Sequence, residues 1–360
     1  MDRGRTLSGV LFLGDRSPFG LSVALALLDS PFGIAKVIVP SDRAYESRRP
    51  RAAGGRGVAV RLRSAAARAG GLVRRARGPF PAGEAMSPVD LDPGVTAERL
   101  QESFERAGAA WERVDGIGSE EFLRQRRHDG VDLFLCAAFP FIFGEALLMT
   151  PPMGCVNFHP SLLPRCRGCH PIFWTLASGE TQGGVTAHFM TPEVDAGNII
   201  AQTALPLTED DDYGSLYRRA MTASDRLVAL VAVALRSGRC DGSPQDHSRA
   251  TYHHEDTEED HRVRWAGRSA AEVVALSRTG EAFAMLRGER LGILKAAQQH
   301  GAHRDPGSPP GTIISVGDHS FVVAAAWGAV TIHAASWRGR RCAAGDLARA
   351  LGLRRGEEIG

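Results

Sequence analysis

Hydrophobic positions open as an apolar run at residues 10–13, closed by Gly14 and Pro18, followed by apolar positions at helical spacing over 21–28 and a second run at 35–39. That order predicts strand, loop, helix and strand, the start of an α/β sheet. Residues 41–95 lose the pattern and are rich in Arg, Gly and Pro, as expected of a long functional or disordered insertion. The rhythm resumes with helices over 97–107 and 120–127. Residues 131–138 then form an apolar run of the kind buried on both faces of a parallel sheet. Further strands are predicted at 155–159, 185–190 and 199–205, and a long helix at 213–234. A polar, charged stretch marks a linker at 237–261. A second unit follows, with a short helix at 270–277, a hairpin at 282–296 and a β-rich run at 311–335 broken at Gly317-Asp318 and Trp327-Gly328. The expected fold class is therefore α/β. A Rossmann-like, mostly parallel sheet over 1–236, carrying the insertion at about 41–95, precedes a small OB-like β-barrel over 262–360.

Composition narrows the class. A chain of 360 residues, 43% hydrophobic and 23% charged, can bury two ordinary globular cores. No apolar run reaches membrane-spanning length and the N-terminus lacks a signal-peptide pattern, so a cytoplasmic protein without membrane association is expected. The six cysteines are dispersed, which suits a reducing compartment. The Cys166-x-x-Cys169 pair lacks a second ligand pair at similar spacing, so no metal is expected. The glycines from Gly14 to Gly20 lack the G-x-G-x-x-G spacing of a nicotinamide site. Net charge is +2, yet eleven arginines and one acid, Glu46, fall between Arg43 and Arg77. That run suits either phosphate contacts or a solvated insertion.

Chemistry is concentrated at the strand over 155–159. Alternation puts Asn157 and His159 on one face, and Pro160 ends regular pairing there. An amide donor and an imidazole are thus offered together, able to hold an oxyanion and move a proton. A carboxylate such as Asp195 would orient the ring and favour its charged form. Such a set suits acyl transfer. Taken alone, an Asn-x-His pair is more often explained by hydrogen bonds around a proline-bounded turn.

The longer string Asn157-Phe158-His159-Pro160-Ser161-Leu162-Leu163-Pro164-Arg165, followed by Arg167-Gly168, Gly184-Val185-Thr186 and Asp195-Ala196-Gly197, resembles the 10-formyltetrahydrofolate-dependent formyltransferase family. The resemblance implies that Asn157, His159 and Asp195 carry direct transfer of a formyl group from 10-formyltetrahydrofolate to a primary amine. It places Phe139, Phe141 and Ile142, with Val194, Ala196 and Gly197, beside the folate. Ser161, Arg165, Arg167 and His188 become candidates on the substrate side. Gly288-Glu289-Arg290-Leu291 and residues 309–314 resemble the C-terminal domain of methionyl-tRNA formyltransferases, whereas residues 169–174 are closer to amino-sugar N-formyltransferases. The expected acceptor is a small-molecule amine, an amino sugar or an amino-acid derivative. Methionyl-tRNA is the alternative, and formyl-folate hydrolysis a third reading.

Overall fold

The computed structural model describes residues 6–47, 96–238, 240–299 and 308–360. The first part runs β1 (Leu7–Leu13), α1 (Pro18–Leu28), β2 (Phe32–Pro40), α2 (Asp42–Ser47), α3 (Ala97–Arg106), β3 (Ala110–Val114), α4 (Glu120–His128), β4 (Leu133–Ala137), α5 (Glu145–Leu148) and β5 (Cys155–His159). It continues with β6 (Arg167–Gly168), α6 (Pro171–Ala177), β7 (Gln182–Phe189), β8 (Ile199–Pro206) and α7 (Tyr213–Arg236). Seven strands form one sheet in the order β3-β2-β1-β4-β5-β7-β8. The strands from β3 to β5 are parallel, while β7 runs antiparallel to β5 and β8 antiparallel to β7. The mostly parallel sheet expected from the apolar runs is therefore present.

Burial on both faces explains those runs. On β1, Leu11 and Leu13 face a core closed by α1 and α7 through Val23, Leu27, Leu227 and Val231. Val10 and Phe12 face the opposite core with Ile38, Phe122, Phe134 and Phe143. Helix starts are satisfied locally: Ser17 accepts from the Gly20 amide with Pro18 following, and Asp212 and Ser215 form a capping box at α7. Phe12 meets Phe139 and Phe143 edge-on at 5.4 and 4.7 Å, which ties the loop after β4 to the sheet.

After α7 the chain forms β9 (Tyr252–His253), which pairs with β6, and then α8 (Ala270–Ser277), β10 (Phe283–Leu286), β11 (Glu289–Gln298), β12 (Ile313–Val316), β13 (Phe321–Ala324), β14 (Ala329–Trp337), β15 (Arg340–Ala343) and α9 (Ala344–Leu351). An antiparallel sheet in the order β10-β11-β14-β13-β12, with β15 also on β14, encloses Val273, Ile293, Phe321, Ile332 and Leu347. Strands β10 and β12 do not pair directly. The segment 356–360 fills the seam: Met285 and Gly360 exchange backbone bonds of 2.6 and 2.7 Å, Ile313 N–H donates to Glu357 and Ile359 N–H donates to Gly311. This is the small barrel-like unit expected from the closely spaced turns.

Several elements differ from the sequence pattern. Strand β3 was not anticipated because Ala-Trp-Glu-Arg-Val does not alternate cleanly and lies at a sheet edge. Helix α2 occupies the start of the segment expected to be irregular; residues 48–95, with ten of the eleven clustered arginines, lie outside the described residues. The expected linker contains β9 and returns to the first unit.

Phe12→Ala is expected to lower unfolding free energy by about 3–5 kcal/mol, because four aromatic rings lose their common partner. Chemical denaturation measures it. A loss below about 1 kcal/mol would contradict this packing.

Candidate active site

The carboxyl ends of β4 and β5 and the β7–β8 loop converge. On β5, Asn157 pairs in register with His188 of β7, and its half-buried side chain turns toward the β7–β8 loop. Its Nδ2 donates to Asp195 Oδ1 at 3.3 Å and lies 3.2 Å from His188 Nε2. His159, two residues on and on the same face, is buried, with Nδ1 3.6 Å from Asp195 Oδ2. Its Nε2 donates to the Cys166 carbonyl at 2.9 Å, so Nδ1 is the nitrogen left facing the carboxylate. His188 Nδ1 donates to the Phe189 carbonyl at 2.8 Å and its Nε2 stands 3.3 Å from Asp195 Oδ1. The strand thus places its amide and imidazole together, and His188 joins them.

Asp195 is the centre of this group. It is buried and takes a left-handed backbone conformation, φ 53°, unusual for a residue with a side chain. The Gly168 amide donates to its Oδ2 at 2.8 Å. Burial alone would raise its pKa, but the His159 charge, the hydrogen bond and charge of His188 and the Gly168 amide outweigh it, so the carboxyl is held well below the usual carboxylate range. Two glycines beside the carboxylate have no room for a side chain. A Cβ on Gly197 would lie 1.9 Å from the Phe189 carbonyl oxygen, and one on Gly168, at φ 93°, would lie 2.2 Å from that of His253.

The residues matched to the folate side form a partly open apolar wall. Phe139 and Phe141 lie 5.5 Å apart, Ile142 is 68% and Val194 40% exposed, and Ala196 is buried beside Asp195. The substrate-side candidates diverge. Ser161 is buried and donates to the Arg165 carbonyl, and Arg165 pairs with Glu180. Arg167 is fully buried: it donates to Gln245 from Nε and Nη2 at 3.1 and 2.6 Å, and meets Tyr252 and His247. Its guanidinium is taken up by these protein partners, with Glu193 3.8 Å from Nη1. Gln245, Tyr252 and the Gly168 amide were not singled out from sequence, because an irregular polar segment carries no period that marks an inward side chain.

Cys166 is buried and Cys169 exposed. Among the described residues no helix is long and apolar enough to cross a membrane.

With this geometry in place, the comparisons are consistent. Residues 64–232 match the formyl transferase family and residues 257–351 its C-terminal domain. A methionyl-tRNA formyltransferase of Syntrophus aciditrophicus is 32% identical over 229 residues, 63% of this chain and 72% of its own. One of Sorangium cellulosum is 33% identical over 259 residues, 68% and 79% of the two chains. Among solved structures, WlaRD, a sugar 3N-formyl transferase, superposes with a TM-score of 0.56 at 13% identity over 92% of this chain and 98% of its own, which shows a shared fold. The chain belongs to the formyl transferase family and is a formyl-transferring enzyme.

Proposed function

We propose that the enzyme moves the formyl group of 10-formyltetrahydrofolate to the primary amine of a small molecule, and that Asn157, His159 and Asp195 carry the reaction. The observation behind this reading is the convergence of an amide and two imidazoles on one buried carboxylate. The amine attacks the formyl carbon, and the carbonyl π pair moves to oxygen. Asn157 Nδ2 donates to that oxyanion, and His159, held beside it by Asp195, adds to the stabilisation. Asp195 receives the proton that the attacking nitrogen loses. The oxyanion then re-forms the carbonyl, the N10–carbon bond breaks, and the proton taken up by Asp195 passes to N10 through His159 or water to complete tetrahydrofolate. No enzyme nucleophile is required. WlaRD was solved in the presence of 5-N-formyl-THF, in keeping with a folate donor, and the apolar side chains of Phe139, Phe141, Ile142 and Val194 suit its ring.

For the acceptor, charge is informative. With an excess of +10 between Arg43 and Arg77 against +2 overall, the rest of the chain is net acidic. Next to the site, the run after β9 carries Asp256, Glu258, Glu259 and Asp260, paired with His170 and His261, Arg290, Arg264 and His254 respectively. An acidic run whose two arginine partners are already paired favours a small amine over a phosphate backbone, whose binding needs uncompensated cations. The second reading, methionyl-tRNA as acceptor, is favoured by the names of the 32–33% identical relatives and by the arginine run. Deleting residues 48–77 separates the two. On the small-amine reading, tRNA affinity is weak at low salt and unchanged by the deletion; a tight, salt-dependent complex lost on deletion favours tRNA.

Asn157→Ala is expected to lower kcat by about 10²–10³ while folate binding persists. His159→Ala and Asp195→Asn are expected to lose most turnover in steady-state assays, again with the folate still bound in a fluorescence titration. Wild-type kcat in Asp195→Asn would overturn the carboxylate's role.

The depressed pKa of Asp195 also sets a stability signature. Its folded value lies below the unfolded value of about 4, so its contribution is complete above about pH 4 and disappears as pH falls through the folded value. Chemical denaturation at stepped pH is expected to show the wild type losing more stability than Asp195→Asn below about pH 4. Parallel curves would contradict the shift.

A further inference from the structure

Between α7 and the C-terminal sheet the chain does more than connect. Ser243 forms an antiparallel bridge with Ile199, with reciprocal bonds of 2.8 Å, and β9 pairs with β6. Between these anchors Gln245 is buried, and its side chain uses its full hydrogen-bonding capacity. Nε2 donates to the carbonyls of Asp195 and Gly197 at 2.8 and 2.7 Å, and Oε1 accepts both bonds from Arg167. We propose that Gln245 is a positioning residue for Asp195, and that the segment after α7 is a clamp on the active site.

The residue type is closely specified. Glu would face two carbonyl oxygens with no donor, Asn is one carbon too short to span both, and an apolar side chain would leave two loop carbonyls unpaired and take from Arg167 its two bonds to Oε1. The loop it holds also needs holding. Asp195 sits at φ 53°, a conformation that persists only where its surroundings over-determine it. From the other side the loop presses on the Phe189 carbonyl at Gly197. Gln245 therefore fixes the main chain of Asp195, while the Gly168 amide fixes its carboxylate. Both depend on β6, because Arg167 orients Gln245 and Gly168 follows Arg167. This gives Arg167 a task suited to its burial: it acts through Gln245.

The inference rests on the reading of Asp195 as part of the catalytic group, so the test is a double-mutant cycle on the full chain. Wild type, Gln245→Met, Asp195→Asn and the double variant are assayed with 10-formyltetrahydrofolate and hydroxylamine as the amine probe. Gln245→Met is expected to lower kcat by about 10- to 100-fold with KM nearly unchanged, the scale of a misplaced catalytic group. In the Asp195→Asn background the same change is expected to cost less than about 3-fold, since residues acting as one unit are not additive. Equal losses in both backgrounds would show a general structural role and overturn the proposal. Gln245→Glu keeps the Arg167 pair and guards against a misfolded Met variant; it should also lose kcat, and wild-type kcat there would equally overturn the proposal. Wild-type kcat in Asp195→Asn alone would instead remove the reading of Asp195 on which the inference stands.

Discussion

A carboxylate removed from water is costly unless cations and hydrogen-bond donors surround it, and Asp195 meets that requirement with side chains from several parts of the chain. His159 and the Asn157 amide arrive on β5, His188 on the neighbouring antiparallel β7 and the Gly168 amide from β6, while Gln245 from beyond α7 holds the main-chain carbonyl of Asp195. His159 and His188 are placed by pairing within the main sheet, and Gly168 by pairing with β9. The change from parallel to antiparallel pairing at β7 is what brings His188 opposite Asn157. An all-parallel continuation would have given β5 a different neighbour and left the carboxylate with one imidazole.

The same burial explains why the site is stiff. Left-handed Asp195 and the close approaches at Gly197 and Gly168 leave little slack, and the segment after α7 closes the arrangement from outside the main sheet. The loop after β4 is held differently, by aromatic packing of Phe139 on Phe12 and Phe143, and keeps Ile142 exposed at its tip. A firm polar centre beside a partly open apolar wall suits a reaction in which a flat donor docks and a small group is moved.

The legibility of these parts in the sequence follows their physics. Strands β1 and β4 are readable because burial on both faces produces unbroken apolar runs, and β5 because its apolar residues end in a polar, proline-bounded tip. Asn157 and His159 could be placed on one face from alternation alone, whereas Asp195 entered through the Asp-Ala-Gly pattern that resembles the family's. The barrel-like unit was foreshadowed by its Gly317-Asp318 and Trp327-Gly328 turns, but its closure by backbone bonds of residues 356–360 carries no side-chain pattern. Arg167 shows the opposite limit: charge type suggests contact with substrate, and only the fold reveals that it is fully buried against Gln245.

The central claim is that this constellation delivers a formyl group to an amine and not to water. Carbon-labelled 10-formyltetrahydrofolate incubated with a panel of small amines, with the label followed by NMR, tests it most directly. The account predicts label in an N-formyl amide, formed only with an amine present and lost in His159→Ala. Label released as formate at the full rate without any amine would contradict it.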